Sequence, residues 1–249
     1  MPSTSSTSTY KKHLLDTWRS VEVGSEQTVT SGMFHPRLDI LPDAQRRFWE
    51  EVAATPREFV LYGGTAIALR LGHRYSEDFD FFSNQHFSPR ELLRRLPYLK
   101  DTEVLQEKGN TLTCMADRGG PVRVSFFGGL DLNRVADPEV TTNSNVRVAS
   151  LLDLAATKVV TVLQRASLKD YQDVDALLSA GVELRVALAA AKAVYGAQYN
   201  PFLSLKALTF FEEGDVKKLS SDCRRRLVEA ACRVDVQNLP DVQARPGLV

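Results

Sequence analysis

The sequence predicts an α/β fold in the first half of the chain and an all-helical second half. Two observations predict it. In the first half, short apolar runs of strand type alternate with helical segments and turn residues. After Ser150 the strand signal ends, and apolar residues recur at helical spacing instead. We place the boundary in a loop near Asn143, which divides the chain into a flexible tail at 1–30, a core at 31–142 and a helical domain at 143–249.

Turn and capping residues set the element boundaries of the first half. The amphipathic segment 43–54 predicts a short helix that Pro56 ends. Residues 65–71 predict a compact helix, and Gly72 is placed to close it because glycine adopts the left-handed conformation at a helix C-terminus. The run Ser88–Glu91 predicts the start of a third helix. Five runs that favour strands lie at 58–62, 78–82, 103–108, 111–116 and 121–127.

The second half is predicted to consist of four helices. Ser150 and Asp153 form an S-x-x-D capping pattern at the start of the first helix, and Ser167 and Asp170 repeat the pattern at the second. The run Arg224–Arg226 makes one face of the last helix basic, which indicates a solvated face or an RNA contact. The predicted helices cover 151–165, 168–180, 184–195 and 219–232.

The composition excludes several classes of protein. With 31 Lys+Arg against 31 Asp+Glu in 249 residues, the chain is not a strongly basic nucleic-acid binder, although a local basic groove is compatible with zero net charge. Its three cysteines form no CxxC pair and its four histidines form no HExxH motif, which argues against a disulfide scaffold and a zinc site. Because we find neither a membrane-length apolar run nor a signal peptide, we expect a soluble cytoplasmic protein with no membrane partner.

Two carboxylates on one predicted strand form the central chemical feature. Asp78 and Asp80 are two residues apart, so they project from the same face of a strand, while Phe79 and Phe81 bury on the other. Neighbouring carboxylates on an apolar strand repel each other, and burying them is costly. A hard divalent cation removes that penalty and is normally held by carboxylates together with substrate phosphates. Asp78 and Asp80 are therefore candidate ligands of Mg²⁺ or Mn²⁺.

A glycine turn precedes the acid pair. Gly63 and Gly64 allow a phosphate to approach backbone N–H groups, the helix that follows presents its positive end, and Thr65 adds a hydroxyl donor. A glycine pair alone is common, and a D-x-D pair alone is more often solvated than metal-binding. Their order favours a joint site. A strand, a glycine turn, a helix and an acid pair follow one another, and only 17 residues separate Gly63 from Asp80.

A lysine lies within the apolar helix predicted at 151–165. Lys158 shares its face with Ala155 and Val162, and the opposite side of the helix is also apolar. A buried ammonium group requires an anion. At this stage a triphosphate and a carboxylate are both candidates for that anion.

These features resemble the polymerase-β-like nucleotidyltransferase superfamily. More narrowly, the run Gly63–Phe82 is similar to the AbiEii/AbiGii family of nucleotidyltransferase toxins, in its GGT-A-L, R-x-S and D-x-D-F-F elements. The resemblance extends from about Phe59 to about Leu219. It implies a nucleotidyltransferase fold, a mixed sheet with flanking helices, and a C-terminal helical domain that forms the other wall of the active-site cleft.

The resemblance also implies roles for individual residues. Asp78 and Asp80 would hold the metal and serve catalysis, and Lys158 would bind phosphate. Asp173, in a K-D-x-x-D element, would hold nucleotide or orient the lysine, and we favour it over Asp170, which has a competing explanation as a capping residue. Arg74 would contact phosphate unless it is a surface arginine, and Ser76 is a structural serine or part of the site. The implied nucleotide-binding residues are Gly63, Gly64, Thr65, Arg74, Ser76 and Lys158.

One position departs from the superfamily pattern. Enzymes of this kind usually place a third carboxylate on a neighbouring strand, where it holds a second metal ion. On the strand predicted at 121–127 the corresponding residue is Ser125, and serine is a weak ligand and a poor base. The sequence therefore favours a single metal ion on Asp78 and Asp80 over a two-metal scheme.

The resemblance implies an activity and partners. The reaction would move a nucleoside monophosphate from an NTP to an acceptor such as tRNA, and release pyrophosphate. The protein would be the toxin of a toxin–antitoxin or phage-defence pair, with an antitoxin as partner. Two alternatives remain open: a small-molecule adenylyltransferase of the antibiotic-modifying type, and a non-catalytic module that binds a nucleotide or a partner. An enclosed apolar pocket would indicate the first alternative, and nucleotide binding without turnover would indicate the second.

Overall fold

One mixed sheet and eight helices make up residues 32–249, which are the residues that the computed structural model describes. The predicted tail at 1–30 lies outside them. The strands are β1 (Met33–Phe34), β2 (Val60–Tyr62), β3 (Asp78–Phe82), β4 (Glu103–Lys108), β5 (Thr111–Asp117), β6 (Pro121–Phe127), β7 (Glu139–Thr141) and β8 (Arg147–Val148). The helices are α1 (Asp43–Trp49), α2 (Gly63–Leu71), α3 (Pro89–Arg95), α4 (Leu151–Gln164), α5 (Leu168–Ser179), α6 (Leu184–Tyr195), α7 (Pro201–Leu208) and α8 (Ser221–Cys232).

The eight strands form one sheet in the order β1-β7-β8-β2-β3-β6-β5-β4. β3 lies near its centre, antiparallel to β2 and parallel to β6. β4, β5 and β6 form an antiparallel meander at one end. The α/β architecture of the first half is as predicted. The hairpins that connect β4, β5 and β6 confirm the three strands predicted at 103–108, 111–116 and 121–127. β3 is thus held on both sides by hydrogen-bonded neighbours, which fixes the direction of its side chains.

The face of β3 away from the cleft forms the core of the first half. Phe79 and Phe81 are completely buried there. Phe48 and Trp49 of α1 cover Phe79, with ring centroids 5.1 and 6.1 Å from its ring. Aromatic side chains bury large apolar areas, so this contact anchors α1 and β3 to each other. The strand alternation predicted from the sequence is therefore correct, and it turns the even-numbered side chains of β3 toward the cleft.

α2 begins without a linker after β2. Tyr62 ends the strand, Gly63 starts the helix with a positive φ of 75°, and Gly72 ends it in the left-handed conformation at φ 66°. The predicted helix end at Gly72 is confirmed, and the observed helix starts two residues earlier than predicted. This tight connection places the N-terminal end of α2 beside β3.

α4 is the central helix of the second half. It packs against α2, α5, α6 and α7, and its predicted all-round apolar character reflects these contacts. Ser150 caps it by accepting a hydrogen bond from the Asp153 backbone N–H at 3.0 Å, as its S-x-x-D pattern predicts. The contact between α2 and α4 brings the helical half of the chain against the glycine turn.

The sequence missed four short elements and placed some boundaries wrongly. β1, β7 and β8 are two or three residues long, too short for alternation to show. The helix predicted at 43–54 ends at Trp49 and continues as a turn of 3₁₀ helix. The helix predicted from Leu219 begins at Ser221, capped by Ser220.

The missed helix α7 does carry a sequence signal at its start, because Asn200 is its N-cap and Pro201 its first residue. β8 extends the sheet past residue 142, and the division into core and helical domains stays a prediction.

Candidate active site

The two predicted metal ligands lie on the cleft face of β3. Asp78 is at the start of the strand with its side chain 44% exposed, and Asp80 is partly buried. β6 runs parallel to β3 and places Arg123 opposite Asp78 and Ser125 opposite Asp80. Arg123 Nη2 donates a hydrogen bond to Asp78 Oδ2 at 2.7 Å. The acid pair is therefore present as predicted, with an arginine beside its outer member.

Asp80 is held in an electrostatically unfavourable position. Burial raises its pKa above the ordinary value of a carboxyl group, and the charge of Asp78 raises it further. The positive charges of Arg123 and Lys158 oppose that rise without cancelling it. A cation bound at the two carboxylates would offset their mutual repulsion and the cost of keeping Asp80 charged while partly buried.

The glycine turn lies directly against the acids. A Cβ atom on Gly63 would be 3.1 Å from Asp80 Oδ2, and a Cβ atom on Gly64 would collide with the guanidinium group of Arg74. The Thr65 hydroxyl contacts the Asp78 backbone carbonyl and lies 2.7 Å from Ser76 Oγ. The missing side chain of Gly63 lets the backbone approach Asp80, and that of Gly64 makes room for the Arg74 guanidinium group. Thr65 and Ser76 are buried and tie α2 to the strand, which supports the structural interpretation of Ser76.

Lys158 is buried, as its place in an apolar helix predicts, and its anions are carboxylates. Its Nζ lies 2.8 Å from Asp170 Oδ1 and 2.9 Å from Asp173 Oδ2. Of the two anions that the sequence left open, the carboxylate is the one that the structure shows. Lys158 still lines the same cavity as Asp78 and Asp80, and its positive charge acts on Asp80. Its binding to a nucleotide stays a prediction.

The completely buried carboxylate of Asp173 contacts three cationic or basic side chains, those of Lys158, Arg74 and His73. Arg74 donates to both oxygens, at 2.7 and 2.9 Å, and His73 Nε2 lies 2.7 Å from Oδ1. Burial alone would raise the pKa of Asp173, but the hydrogen bonds from His73 and Arg74 and the charge of Lys158 outweigh burial and hold the pKa well below its ordinary value. Arg74 is 13% exposed, so its interpretation as a surface arginine is wrong.

Asp170 is a second anchor for Lys158 and does not cap α5. No side-chain hydrogen bond from Ser167 caps that helix, so the capping interpretation of Asp170 is wrong. The Asp170 carboxylate is turned instead toward Lys158 and Arg165, whose Nε donates to Oδ2 at 2.7 Å. Burial would raise the pKa of Asp170, and the hydrogen bond from Arg165 and the charge of Lys158 lower it. Both acids of the K-D-x-x-D element therefore hold Lys158.

Two connected cavities occupy the cleft. The smaller, of about 200 Å³, is bordered by most of the charged side chains, among them Arg74, Arg123, Arg165, Lys158 and Lys169 beside Asp78 and Asp80. The larger, of about 670 Å³, extends from Gly63 and Asp80 toward Phe82 and Phe127. The cavities share the lining residues Gly64, Asp80, Arg123, Lys158 and Arg165. All nine site residues of the sequence prediction except Asp173 border one of the two cavities, and Asp173 supports Arg74 and Lys158 from behind.

The residues present fit a divalent cation bound with phosphate. Asp78 and Asp80 supply the two carboxylates, and the glycine turn leaves open backbone beside them. Within residues 32–249 there is no group of three or more His, Cys, Asp and Glu side chains that could hold a metal ion. Ser125 lies opposite Asp80, at the position of the third acid in the superfamily pattern. It is 4% exposed, accepts a weak hydrogen bond from Thr113 at 3.4 Å, and its side chain also hydrogen-bonds Asp80.

Three residues of the site were not identified from the sequence. Arg123 could have been found, because it precedes Ser125 by two residues and must share its face of the strand. Arg165 directly follows the last residue of α4, and its contact with Asp170 depends on the extended turn that ends the helix. His73 carries no sequence signal that separates it from a surface histidine, because its partner Asp173 is 100 residues away.

The basic run of the last helix is engaged within the chain. Arg226 pairs with Asp175 at 2.5 Å, Arg225 pairs with Asp222 at 3.1 Å, and Arg224 lies over the Phe211 ring at 5.4 Å. These contacts favour the interpretation of a solvated face over an RNA contact. Among the described residues, no helix is long and apolar enough to cross a membrane.

A glycine turn that faces two carboxylates on the next strand of a mixed sheet is the arrangement of nucleotidyltransferases. Comparisons with known proteins agree with that class. The model of the nucleotidyl transferase AbiEii toxin family, described as a type IV toxin–antitoxin system, matches residues 47–243. The chain therefore belongs to the AbiEii family, as the resemblance in its motifs predicted, and the match is longer than the resemblance indicated.

Solved structures and one curated relative are similar to the chain. MenT4, a nucleotidyltransferase toxin of Mycobacterium tuberculosis H37Rv, is 15% identical with a TM-score of 0.56, over 80% of this chain and 84% of that one. A protein of H. pylori described as a candidate nucleotidyltransferase is 16% identical with a TM-score of 0.50, over 76% and 90%. At these identities the likeness shows the fold. The uncharacterized protein aq_aa25 of Aquifex aeolicus (strain VF5) is 32% identical over 137 residues, which are 53% of this chain and 65% of the relative.

Proposed function

We propose that the protein transfers a nucleoside monophosphate from an NTP to an acceptor, with Mg²⁺ on Asp78 and Asp80. The observation that carries the proposal is the contact between the glycine turn and the acid pair, in which a Cβ atom on Gly63 would lie only 3.1 Å from Asp80 Oδ2. The turn leaves backbone N–H groups beside the carboxylates, where a phosphate bound to the metal ion would lie. Membership of a nucleotidyltransferase toxin family supports the same reaction.

The charged side chains of the smaller cavity would bind the triphosphate. Arg123, Arg165 and Lys169 are each paired with a carboxylate, of Asp78, Asp170 and Glu77 respectively, but their side chains are about half exposed or more, so each can also contact phosphate oxygens. The backbone N–H groups at the start of α2 add to this positive field. Mg²⁺, when bound to Asp78 and Asp80, would supply Lewis-acid stabilisation of charge on the phosphates.

Lys158 would act from a fixed position. Carboxylate oxygens of Asp170 and Asp173 lie 2.8 and 2.9 Å from its Nζ, so the position of this positive charge stays fixed during the reaction. A preorganised charge stabilises the negative charge that develops on the leaving pyrophosphate without reorganising during the reaction. Asp170, Asp173, Arg74 and His73 would therefore serve as positioning residues.

The acceptor and the partner belong to the same proposal. The family description names a type IV toxin–antitoxin system, which supports a toxin role with an antitoxin protein as partner. The end of a tRNA is our choice of acceptor, and the open charged cleft is compatible with a polyanion.

The experiment is a transfer assay. Purified protein is incubated with Mg²⁺, each of the four labelled NTPs, and tRNA, protein extract or small aminoglycosides as acceptors. We expect label in tRNA from one or a few NTPs, and none when Asp78→Asn replaces the wild type. Label in a small acceptor alone would favour the antibiotic-modifying alternative. Nucleotide binding with no transfer to any acceptor would favour the non-catalytic alternative.

Gly63→Ala should remove transfer at a modest cost in stability. The new Cβ would lie 3.1 Å from Asp80 Oδ2 and push the carboxylate away, and the positive φ of 75° costs about 1–2 kcal/mol for a residue with a side chain. Gly109→Ala is the matched control, because its φ of 57° is also positive and nothing lies within 4 Å of its new Cβ. Urea unfolding and transfer rates are measured for both. Equal losses of activity in the two variants would contradict the role given to Gly63.

A further inference from the structure

The cleft face of the sheet changes from charged to aromatic along the strands. β3 and β6 are parallel, and three successive pairs of their residues face the cleft. The first pair is ionic, the second is a carboxylate beside a hydroxyl, and the third is aromatic. These pairs are Asp78 with Arg123, Asp80 with Ser125, and Phe82 with Phe127.

The aromatic pair borders the larger cavity. Phe82 and Phe127 pack edge to face with ring centroids 5.4 Å apart, and both remain partly exposed. Leu105 of β4 lies at the same cavity with 47% of its surface exposed. An exposed leucine beside two aromatic rings leaves apolar surface in water at the edge of a charged site. A flat apolar group bound there would cover that surface.

Two amide side chains border the same cavity. Neither Gln106 on β4 nor Gln164 at the end of α4 has a side-chain hydrogen bond to another described residue, and both line the larger cavity. Each amide offers two donors and an acceptor. Aromatic rings, an exposed leucine and unpaired amides together match the chemistry of a nucleobase, which has an apolar face and a polar edge.

We propose that the larger cavity binds the nucleobase and ribose of the donor nucleotide, while the smaller cavity binds its phosphates. This inference rests on the proposed function. The two cavities share Gly64, Asp80, Arg123, Lys158 and Arg165, so a single ligand can span both. The order of the three residue pairs is the order of groups in a nucleoside triphosphate, from its charged end to its ring.

The test compares nucleotide binding with polyphosphate binding. Calorimetric titrations with each of the four NTPs and with inorganic tripolyphosphate, all with Mg²⁺, are made on the wild type and on three variants. Phe127→Ala removes one ring, and Leu105→Ser removes the exposed leucine without touching the core. Val104→Ser is the matched control: Val104 is the neighbouring residue of the same edge strand, 41% exposed, and does not line the cavity.

We expect Phe127→Ala to weaken binding of the preferred NTP by about 5- to 150-fold, which corresponds to the loss of one stacked ring. Leu105→Ser should weaken it about 3- to 10-fold. Tripolyphosphate affinity should be unchanged in both variants, and Val104→Ser should bind every ligand like the wild type.

Three other outcomes would overturn the inference in distinguishable ways. Unchanged NTP affinity in Leu105→Ser and Phe127→Ala would place the base elsewhere while leaving the proposed function intact. Reduced affinity for the acceptor alone, measured with tRNA, would assign the cavity to the acceptor. A wild type that binds neither tripolyphosphate nor any NTP would contradict the proposed function itself.

Discussion

Asp80→Asn is expected to abolish nucleotidyl transfer without unfolding the protein. The substitution keeps the shape of the side chain and removes one of the two negative charges that would hold Mg²⁺. A metal ion contributes several kcal/mol of transition-state stabilisation, so the transfer rate should fall at least about 100-fold. The melting temperature should not fall, because the pKa of Asp80 is raised by burial and by Asp78, and a neutral amide escapes both penalties. Transfer rates and thermal unfolding are measured on the same preparation.

Ser125→Ala is the control for that experiment. Ser125 lies opposite Asp80 on β6 and lines the larger cavity with it, but its hydroxyl is neither charged nor a strong ligand. If the two carboxylates are sufficient, the alanine variant keeps most of its activity. A loss of activity in Ser125→Ala as complete as in Asp80→Asn would show that the hydroxyl takes part in the metal site or in the reaction, and would contradict the two-carboxylate account.

The local chemistry of the site could be predicted from the sequence because it depends on strand alternation. Asp78 and Asp80 face the cleft, and Phe79 and Phe81 are completely buried. This alternation depends only on the five consecutive residues of β3. The glycine turn and the closing Gly72 are equally local. In each case one backbone geometry sets the direction of the side chains, so periodicity alone is sufficient evidence.

The network around Lys158 could be predicted only in part, because its partners come from distant segments. A buried ammonium group needs an anion, and the sequence left two candidates. The structure supplies Asp170 and Asp173, 12 and 15 residues further along the chain. Arg74 reaches Asp173 across 99 residues, a contact that no local pattern encodes. The capping prediction at Ser167 fails for the same reason, because the local S-x-x-D pattern carries no information on the Lys158 and Arg165 charges that hold Asp170.

Asp173→Asn is expected to destabilise the fold more than any other single charge removal in the cleft. Asp173 is completely buried and contacts Lys158, Arg74 and His73, whose side chains are 6, 13 and 13% exposed. Without the carboxylate, buried positive charge is left uncompensated, and breaking a buried ion pair on one side costs about 3–5 kcal/mol. Urea unfolding at pH 7 measures the difference from the wild type. Lys158 and Arg74 would also lose their fixed positions, so transfer should fall with stability.

The pH dependence and a neighbouring acid separate this effect from a general loss of packing. The pKa of Asp173 is held well below its ordinary value in the folded protein, so its contribution is complete above about pH 5 and is lost as the pH falls below the unfolded value of about 3.9. The difference in the free energy of unfolding between wild type and Asp173→Asn should therefore decrease by about 1 kcal/mol when the pH is lowered from 5 to 3. Asp175→Asn, on the same helix, breaks a pair with the 45% exposed Arg226 and alters a hydrogen bond from the Cys223 thiol, and it should cost about 1 kcal/mol or less. Two results would show that the charge of Asp173 does not stabilise the cleft. One is a difference in the free energy of unfolding that stays constant with pH, and the other is an equal destabilisation by Asp173→Asn and Asp175→Asn.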